Sequence, residues 1–420
     1  LQTEYSFLTR LSHLKFSNDA AACFDRIVLA LSSIISLSYS IPNEITRIQA
    51  DMLENAVYHI KTLLGVSTRF YSHSDKARVD GLGQGVAASN RAWGCHSSTY
   101  FDLQDQHSHG ATYFSANGLD KLRICMTGFV DDNNLQTVED AFHQAPNTDG
   151  ILDQMNHDAQ VCNGTLWTSG EILALSKCQF HLMEWMFTIT GKPILRPGKH
   201  GKAVKLKALD GTDTLITQLS VANRTKHLEP TENPPNTNEN NSANPQQIEK
   251  TLPTPRPQRL QAPPHLGNYF SVLLRSVGYP LPISHLSHAD LELIQQPMIP
   301  IVLAKMRYCR NISRKLVFLC SYFGGLDFRH LYIEQGTGQI NFLIRHLRTP
   351  GQVHDLLLIV LSWLQNCAGV SFAVLKHPSY PLPHLEGHWL VSLRQFLSFI
   401  NGSTEITDLS IPCLFSPPDA

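Results

Sequence analysis

Three acidic positions stand where the hydrophobic pattern ends strands. Asp19 closes His13 to Asp19, in which Leu14 and Phe16 alternate with polar neighbours, and Asp131 and Asp132 follow Phe129-Val130. Carboxylates at strand ends can converge, and a converged set offers the hard oxygen ligands that Mg²⁺ takes, with phosphate and water completing each octahedron. Two such ions, about 3.5 to 4 Å apart, activate an attacking hydroxyl and neutralise a leaving pyrophosphate, the geometry that nucleotidyl transfer needs. An Asp-Asp pair followed by Asn133-Asn134 is by itself ordinary turn chemistry, so the elements around it decide the matter.

Between the acidic runs the pattern predicts a helix after Asp19 through Leu37. A second, amphipathic helix is predicted from Asn43 to Leu64, carrying Ile45, Ile48, Met52, Leu53, Ala56, Val57, Ile60 and Leu64 at helical spacing and stopping at Gly65. Gly81 to Gly85 reads as a loop, Ala92 to Leu103 as a helix, and Leu122, Ile124 and Met126 as a strand leading to Asp131. Thr137 to Ala145 looks helical. Gly81-x-Gly-x-Gly lacks the Lys and Ser or Thr of a phosphate loop, which argues against a P-loop nucleotidase.

Taken in order, these pieces resemble the palm of reverse transcriptases, most closely those of non-LTR retroelements. The elements are Asp19-x5-Asp25 with Phe24 before the second Asp, then Gln84-Gly85-x3-Ser89, then Phe129-Val130-Asp131-Asp132, then a segment bearing Lys177. The resemblance implies an α/β (α+β) palm of antiparallel strands with flanking helices. It makes Asp19, Asp131 and Asp132 the catalytic carboxylates and ligands of two Mg²⁺ (or Mn²⁺) ions, Asp19 and Asp131 the principal ligands and Asp132 the second acidic residue of the box. It puts Phe24 at the position where an aromatic ring excludes a ribose 2′-OH, Gln84 and Gly85 against the incoming nucleotide, and Lys177 near the triphosphate. The implied activity is RNA-directed DNA synthesis, with an RNA template, a DNA primer and dNTPs as partners. Ordinary packing for Phe24 and a solvated surface position for Lys177 are the competing readings. Asn90 stands where the family has Pro, and Glu171 where it has Gly. Only 18 residues precede Asp19, so the family's basic fingers are not in this sequence, and with Leu1 as its first residue the chain resembles a truncated product. The alternative is a catalytically dead remnant that binds nucleic acid as a scaffold.

Residues 224–265 hold nine of the chain's 24 prolines among Asn, Gln, Thr and Glu, which predicts a disordered linker because too little apolar surface is present to offset ordering entropy. It divides a unit of 1–223 from a mostly helical, thumb-like or accessory unit of 266–420. In the latter, helices are expected at Ser287 to Gln296, Ile301 to Arg314, Gln339 to Leu347 and Val353 to Leu364, the first two separated by Pro297 and Pro300. Phe323 to Leu331 resembles a Gly-Gly-Leu segment that follows the polymerase in non-LTR elements. Lys305, Arg307, Arg310, Arg314 and Lys315, with Tyr308 among them, suit phosphate contacts as well as solubility.

With 34 Lys and Arg against 35 Asp and Glu, no whole-chain basic field exists, so a nucleic acid must be held by a local patch. Six consecutive aliphatic residues, Leu356 to Leu361, are far short of the ~20 a membrane span needs. Nine scattered cysteines without a CxxC pair argue against a disulfide scaffold or a zinc ribbon. No signal-peptide order appears near Leu1, and neither the cellular setting nor the oligomeric state is legible.

Overall fold

A computed structural model describes residues 1–21, 23–63, 65–72, 81–82, 89–129, 132–140, 142, 147–219, 278–385 and 389–406, with positions 23, 24 and 129 described by backbone alone. The fold is mixed α and β. Its central sheet has the order β13-β8-β1-β7-β6, from strands β1 (His13–Asp19), β6 (Met126–Phe129), β7 (Asp132–Val138), β8 (Gln179–Met183) and β13 (Thr217–Leu219). The sheet is mixed, since β13 joins β8 parallel while the other pairings are antiparallel.

β1 lies in the middle. Its register with β7 runs from His13 opposite Val138 to Asp19 opposite Asp132, and its other edge carries β8 from His13 opposite Met183 to Ser17 opposite Gln179. Alternation sends Leu14, Phe16 and Asn18 to one face, and this face is covered by two long helices, α5 (Ser89–His107) and α6 (Thr148–Thr168). Phe16, Leu135, Phe180, Met155, Ala159, Cys162 and Trp93 form one core there. Full burial of Phe16 and of Phe180 contributes about 1.5–3 kcal/mol each. Helix α6 starts where Asn147 accepts a hydrogen bond from the Gly150 amide at 3.1 Å, and Thr137 Oγ1 donates to its Ile151 carbonyl at 3.2 Å.

The opposite face of β1 carries His13, Lys15, Ser17 and Asp19. The first three are buried, and their neighbours satisfy them: Ser17 Oγ donates to Asn134 Oδ1 at 2.7 Å, and His13 Nε2 lies 3.3 Å from Gln136 Oε1, which also accepts from Tyr113 Oη at 3.0 Å. Tyr113 belongs to a hairpin, β4 (Ala111–Phe114) with β5 (Lys121–Ile124). The strand expected through Leu122, Ile124 and Met126 is therefore two strands in different sheets, broken at Cys125.

Two further expectations are corrected. The helix over Asn43 to Leu64 ends early, as α4 (Asn43–Glu54), and a separate hairpin follows, β2 (Val57–Thr62) with β3 (Gly65–Ser72). Val57, Tyr58, Ile60 and Thr62 are β-branched or aromatic, and that preference outweighs the coincidental helical spacing. Of the helix expected at Thr137 to Ala145, Thr137 and Val138 are instead the end of β7, whose polar residues mask a strand buried on both faces, Glu139 and Asp140 are not helical, and 141 and 143–145 lie outside the described residues; the next described helix starts at Thr148.

Among the described residues of the carboxyl-terminal part the α-helices are α7 (His288–Gln295), α8 (Met298–Lys305), α9 (Arg314–Phe318), α10 (Leu331–Arg348), α11 (Gln352–Ala368) and α12 (Trp389–Phe399). Ser287 closes a capping box with Asp290 at the start of α7. The expected helix through Arg314 stops at Lys305, and α12 has no counterpart among the expected ones. Helices α10 to α12 share a core with Tyr5, Leu8, Ala111, Tyr113, Ile124 and Val138. Trp363 Nε1 donates to the Phe114 carbonyl at 2.6 Å, and the Glu4 carboxylate accepts from the Trp389 and Leu390 amides at 2.9 and 3.1 Å. The linker expected at 224–265 lies outside the described residues. No described helix is long and apolar enough to cross a membrane.

Gly128 keeps the β6–β7 hairpin closed, since a Cβ there would run into Asn133 Oδ1 and stand 2.9 Å from the Phe101 ring on α5. Gly128→Ala is expected to destabilise the fold by about 1–3 kcal/mol through overpacking, read as a lower urea midpoint at unchanged slope. An unchanged midpoint would mean the hairpin has room that this packing denies it.

Candidate functional site

Asp19 and Asp132 are directly opposite across β1 and β7, at the end of the strand pair where the buried polar face reaches the surface. The Asp19 side chain is 21% exposed, against nearly complete burial of Ser17 two residues earlier. Opposed residues in an antiparallel pair have Cβ atoms about 4.5–5.5 Å apart, and like charges placed so are destabilising. Such an arrangement persists where a cation offsets it.

One cation is supplied by the chain. Lys177 Nζ lies 2.7 Å from Asp19 Oδ2. A tight local frame holds it there: the Ala174 amide donates to the Asp19 carbonyl at 2.8 Å, the Lys177 amide returns to the Ala174 carbonyl at 2.7 Å, and the Ala21 amide donates to Ile172 at 2.8 Å. The segment between α6 and β8 is thus stitched across the end of β1. Lys177 is 65% exposed, so the pair is worth only about 0.2–1 kcal/mol of stability.

Below this end the core is apolar and its thiols are inert. Burial pushes the Cys162 thiol up to about 12 and the Cys178 thiol up to about 11, so both are protonated packing groups at neutral pH. Asn18 Nδ2 donates to Cys162 Sγ at 3.3 Å on the face away from Asp19. Glu171 is fully buried; it accepts from Tyr100 Oη and, at 3.1 Å, from Ser169 Oγ, and so ties α5 to the turn that precedes the Lys177 segment.

Of the residues singled out in the sequence, Asp19, Asp132 and Lys177 come together. Phe24 is in the short helix α2 (Cys23–Arg26) that follows β1, with its side chain outside the described residues. Asp131, Gln84 and Gly85 lie outside the described residues as well. The basic residues Lys305, Arg307, Arg310, Arg314 and Lys315 are all exposed, on and between α8 and α9, and no acidic residue lies between Glu292 and Asp327 to offset them.

Spacing did not reveal a second cluster. His109, in the turn between α5 and β4, and His157 and Asp158, on α6, bring three donor atoms within 4.8 Å of one another. The two stretches are far apart in sequence and meet only through the packing of α6 against the end of α5. Neither a protein-family model nor a curated protein matches this chain.

Proposed function

We propose that the chain carries the palm of a retroelement-type RNA-directed DNA polymerase, which adds dNTPs to a primer 3′-OH on an RNA template. The supporting observation is the facing of Asp19 and Asp132 on adjacent strands, with Lys177 on Asp19, in the order strand, helix, hairpin, helix, strand. This order brings all three to one end of the sheet although more than a hundred residues separate Asp19 from Asp132.

The donor set fits divalent magnesium or manganese, since both facing groups are carboxylates and one borders solvent. When bound, two such ions supply charge neutralisation and an activated 3′-hydroxyl. Asp19 and Asp132 would hold them, with Asp131 joining by the resemblance. Lys177, which pairs with Asp19, would by the resemblance serve the triphosphate and donate a proton to the leaving pyrophosphate. By the resemblance, Phe24 would select the deoxyribose, and Gln84 and Gly85 would line the nucleotide. The test is extension of poly(rA)/oligo(dT) by this chain with Mg²⁺ or Mn²⁺, comparing dTTP with UTP. Incorporation of dTTP alone is expected, and equal use of UTP would remove the role of Phe24.

The exposed basic stretch favours a second reading, a nucleic-acid-binding remnant without turnover. It is marked by metal-independent binding of the same template-primer with no incorporation. Both readings use the stretch for phosphate contacts, so the combined variant Lys305→Ala, Arg310→Ala and Arg314→Ala is expected to weaken binding. It should also lower the slope of log K against log salt by about 2 to 3. A fluorescence-anisotropy titration between 50 and 200 mM salt, roughly the range over which such contacts respond, checks it; an unchanged slope would take the template away from α8 and α9.

A further inference from the structure

We propose that His109, His157 and Asp158 form a binding site for a transition-metal dication of the zinc class, separate from the Asp19 end of the sheet. The carrying observation is an oversubscribed oxygen. Asp158 Oδ1 has three nitrogens at hydrogen-bond distance: the His109 amide at 2.8 Å, His109 Nδ1 at 2.9 Å and His157 Nδ1 at 3.2 Å. One carboxylate oxygen offers about two lone-pair sites, while Oδ2 receives a single bond, from the Gly110 amide at 2.9 Å. Three donors on one oxygen and one on the other is an uneven distribution for a purely hydrogen-bonded carboxylate. It is the distribution expected where two ring nitrogens and an oxygen converge on one cation.

The distances fit. Zinc bonds of about 2.0–2.2 Å to N and O in a tetrahedron set ligand atoms about 3.3–3.5 Å apart. Each ring nitrogen need move only a few tenths of an ångström from Asp158 Oδ1, and the two half-exposed rings turn toward each other from donor atoms that lie within 4.8 Å of one another; each neutral imidazole then binds through an unprotonated Nδ1, its proton carried on Nε2. Asp158 is 1% exposed and oriented by two backbone amides, the kind of outer hydrogen bonding that fixes a ligating carboxylate. The histidines are about half exposed, which leaves a path for the ion and a fourth position for water.

The turn is built rather than adaptable. Gly110 has φ +67°, and a Cβ on it would stand 2.9 Å from the Cys125 backbone. Gln104 Nε2 donates to the Asp158 carbonyl at 2.9 Å, and Arg123 donates to the His109 and Ser108 carbonyls at 2.9 and 2.7 Å. Asp105, 3.4 Å from Arg123, offsets that cation. Cys125 stands nearby, but its thiol donates to Asp105 Oδ1 at 3.4 Å and is outside the three-atom cluster, so the donor set is two nitrogens and one oxygen with no sulfur. Imidazole with carboxylate suits zinc, copper or nickel over magnesium. The ion would pin the end of α5 to the middle of α6, between which the sheet's core is packed.

Co²⁺ titration of the whole chain tests this through its visible d–d absorption, with Zn²⁺ as competitor. One Co²⁺ per chain, displaced by Zn²⁺, is expected. The double variant His109→Ala, His157→Ala should bind at least about 100-fold more weakly, and Cys125→Ser should bind as the unaltered chain does. Both histidines are half exposed, and alanine suits the helix at position 157, so the double variant keeps its fold, as its circular dichroism will show. Equal binding by the double variant, no stoichiometric binding by the unaltered chain, or a thiolate charge-transfer band would each overturn the proposal.

Discussion

Asp19→Asn is expected to lower Mg²⁺-dependent dTTP incorporation on poly(rA)/oligo(dT) by on the order of 1000-fold. Metal-borne charge stabilisation is worth several kcal/mol in the transition state, and each 1.36 kcal/mol is tenfold in rate. The amide keeps the shape of the carboxylate and removes the charge. The substitution also ends the ion pair with Lys177, but with the ammonium 65% exposed that loss is at most about 1 kcal/mol. Asp132 then no longer faces a like charge across the strands, which offsets part of it. The urea midpoint should therefore stay close to that of the unaltered chain while turnover disappears, and this separation distinguishes a lost metal ligand from a lost fold. Turnover within tenfold of the unaltered chain would remove Asp19 from the chemistry and leave the facing carboxylates without the role proposed for them.

How much of this was legible beforehand varies with what each element had to hide. β1 was legible to the residue, because Leu14 and Phe16 alternate with polar neighbours and only one of its faces meets the apolar core. Helix α7 was legible because Ser287 is a capping residue with Asp290 three positions on. β7 was not. Asn134, Gln136 and Thr137 are buried in it, satisfied by Ser17, His13, Tyr113 and the α6 backbone, and no local pattern announces partners that arrive from so far along the chain. The same holds for the site. The order of Asp19, Asp132 and Lys177 could be taken from the sequence, and the Lys177 to Asp19 contact depends on the stitching of residues 172–178 across β1. The His109, His157 and Asp158 cluster has no spacing signature, since two helices had to pack before its members could meet.

Replacing His96 by leucine is expected to abolish most of an acid instability and to raise stability at neutral pH. His96 is on α5, fully buried, its ring edge-on to Tyr100 at 6.1 Å, and neither ring nitrogen has a hydrogen-bond partner among the described residues. Burial holds its pKa down to about 4, from an ordinary value of 6.5, because no neighbour compensates the desolvated imidazolium. The sign follows from the direction of the shift. A group whose folded-state pKa is depressed favours the fold in its neutral form, so its contribution is fully present above pH 6.5 and is lost as pH falls from 6.5 towards 4. The difference, at 1.36 kcal/mol for each pH unit, is roughly 3 kcal/mol, a large part of the 5–15 kcal/mol that holds a typical domain. His285 and His330 are shifted the same way by burial and add to the acid limb, and the comparison of two chains that differ only at position 96 cancels them. At pH 7.5 the neutral ring still leaves one donor and one acceptor buried and unpaired, at about 1–3 kcal/mol for each; leucine, of similar volume, has neither. Urea midpoints at pH 7.5 and 4.5 should therefore diverge strongly for the histidine chain and little for His96→Leu, with the variant the more stable at both. Equal losses in the two chains on acidification would mean that the imidazole finds water or a partner on α5 and ionises without opening the core.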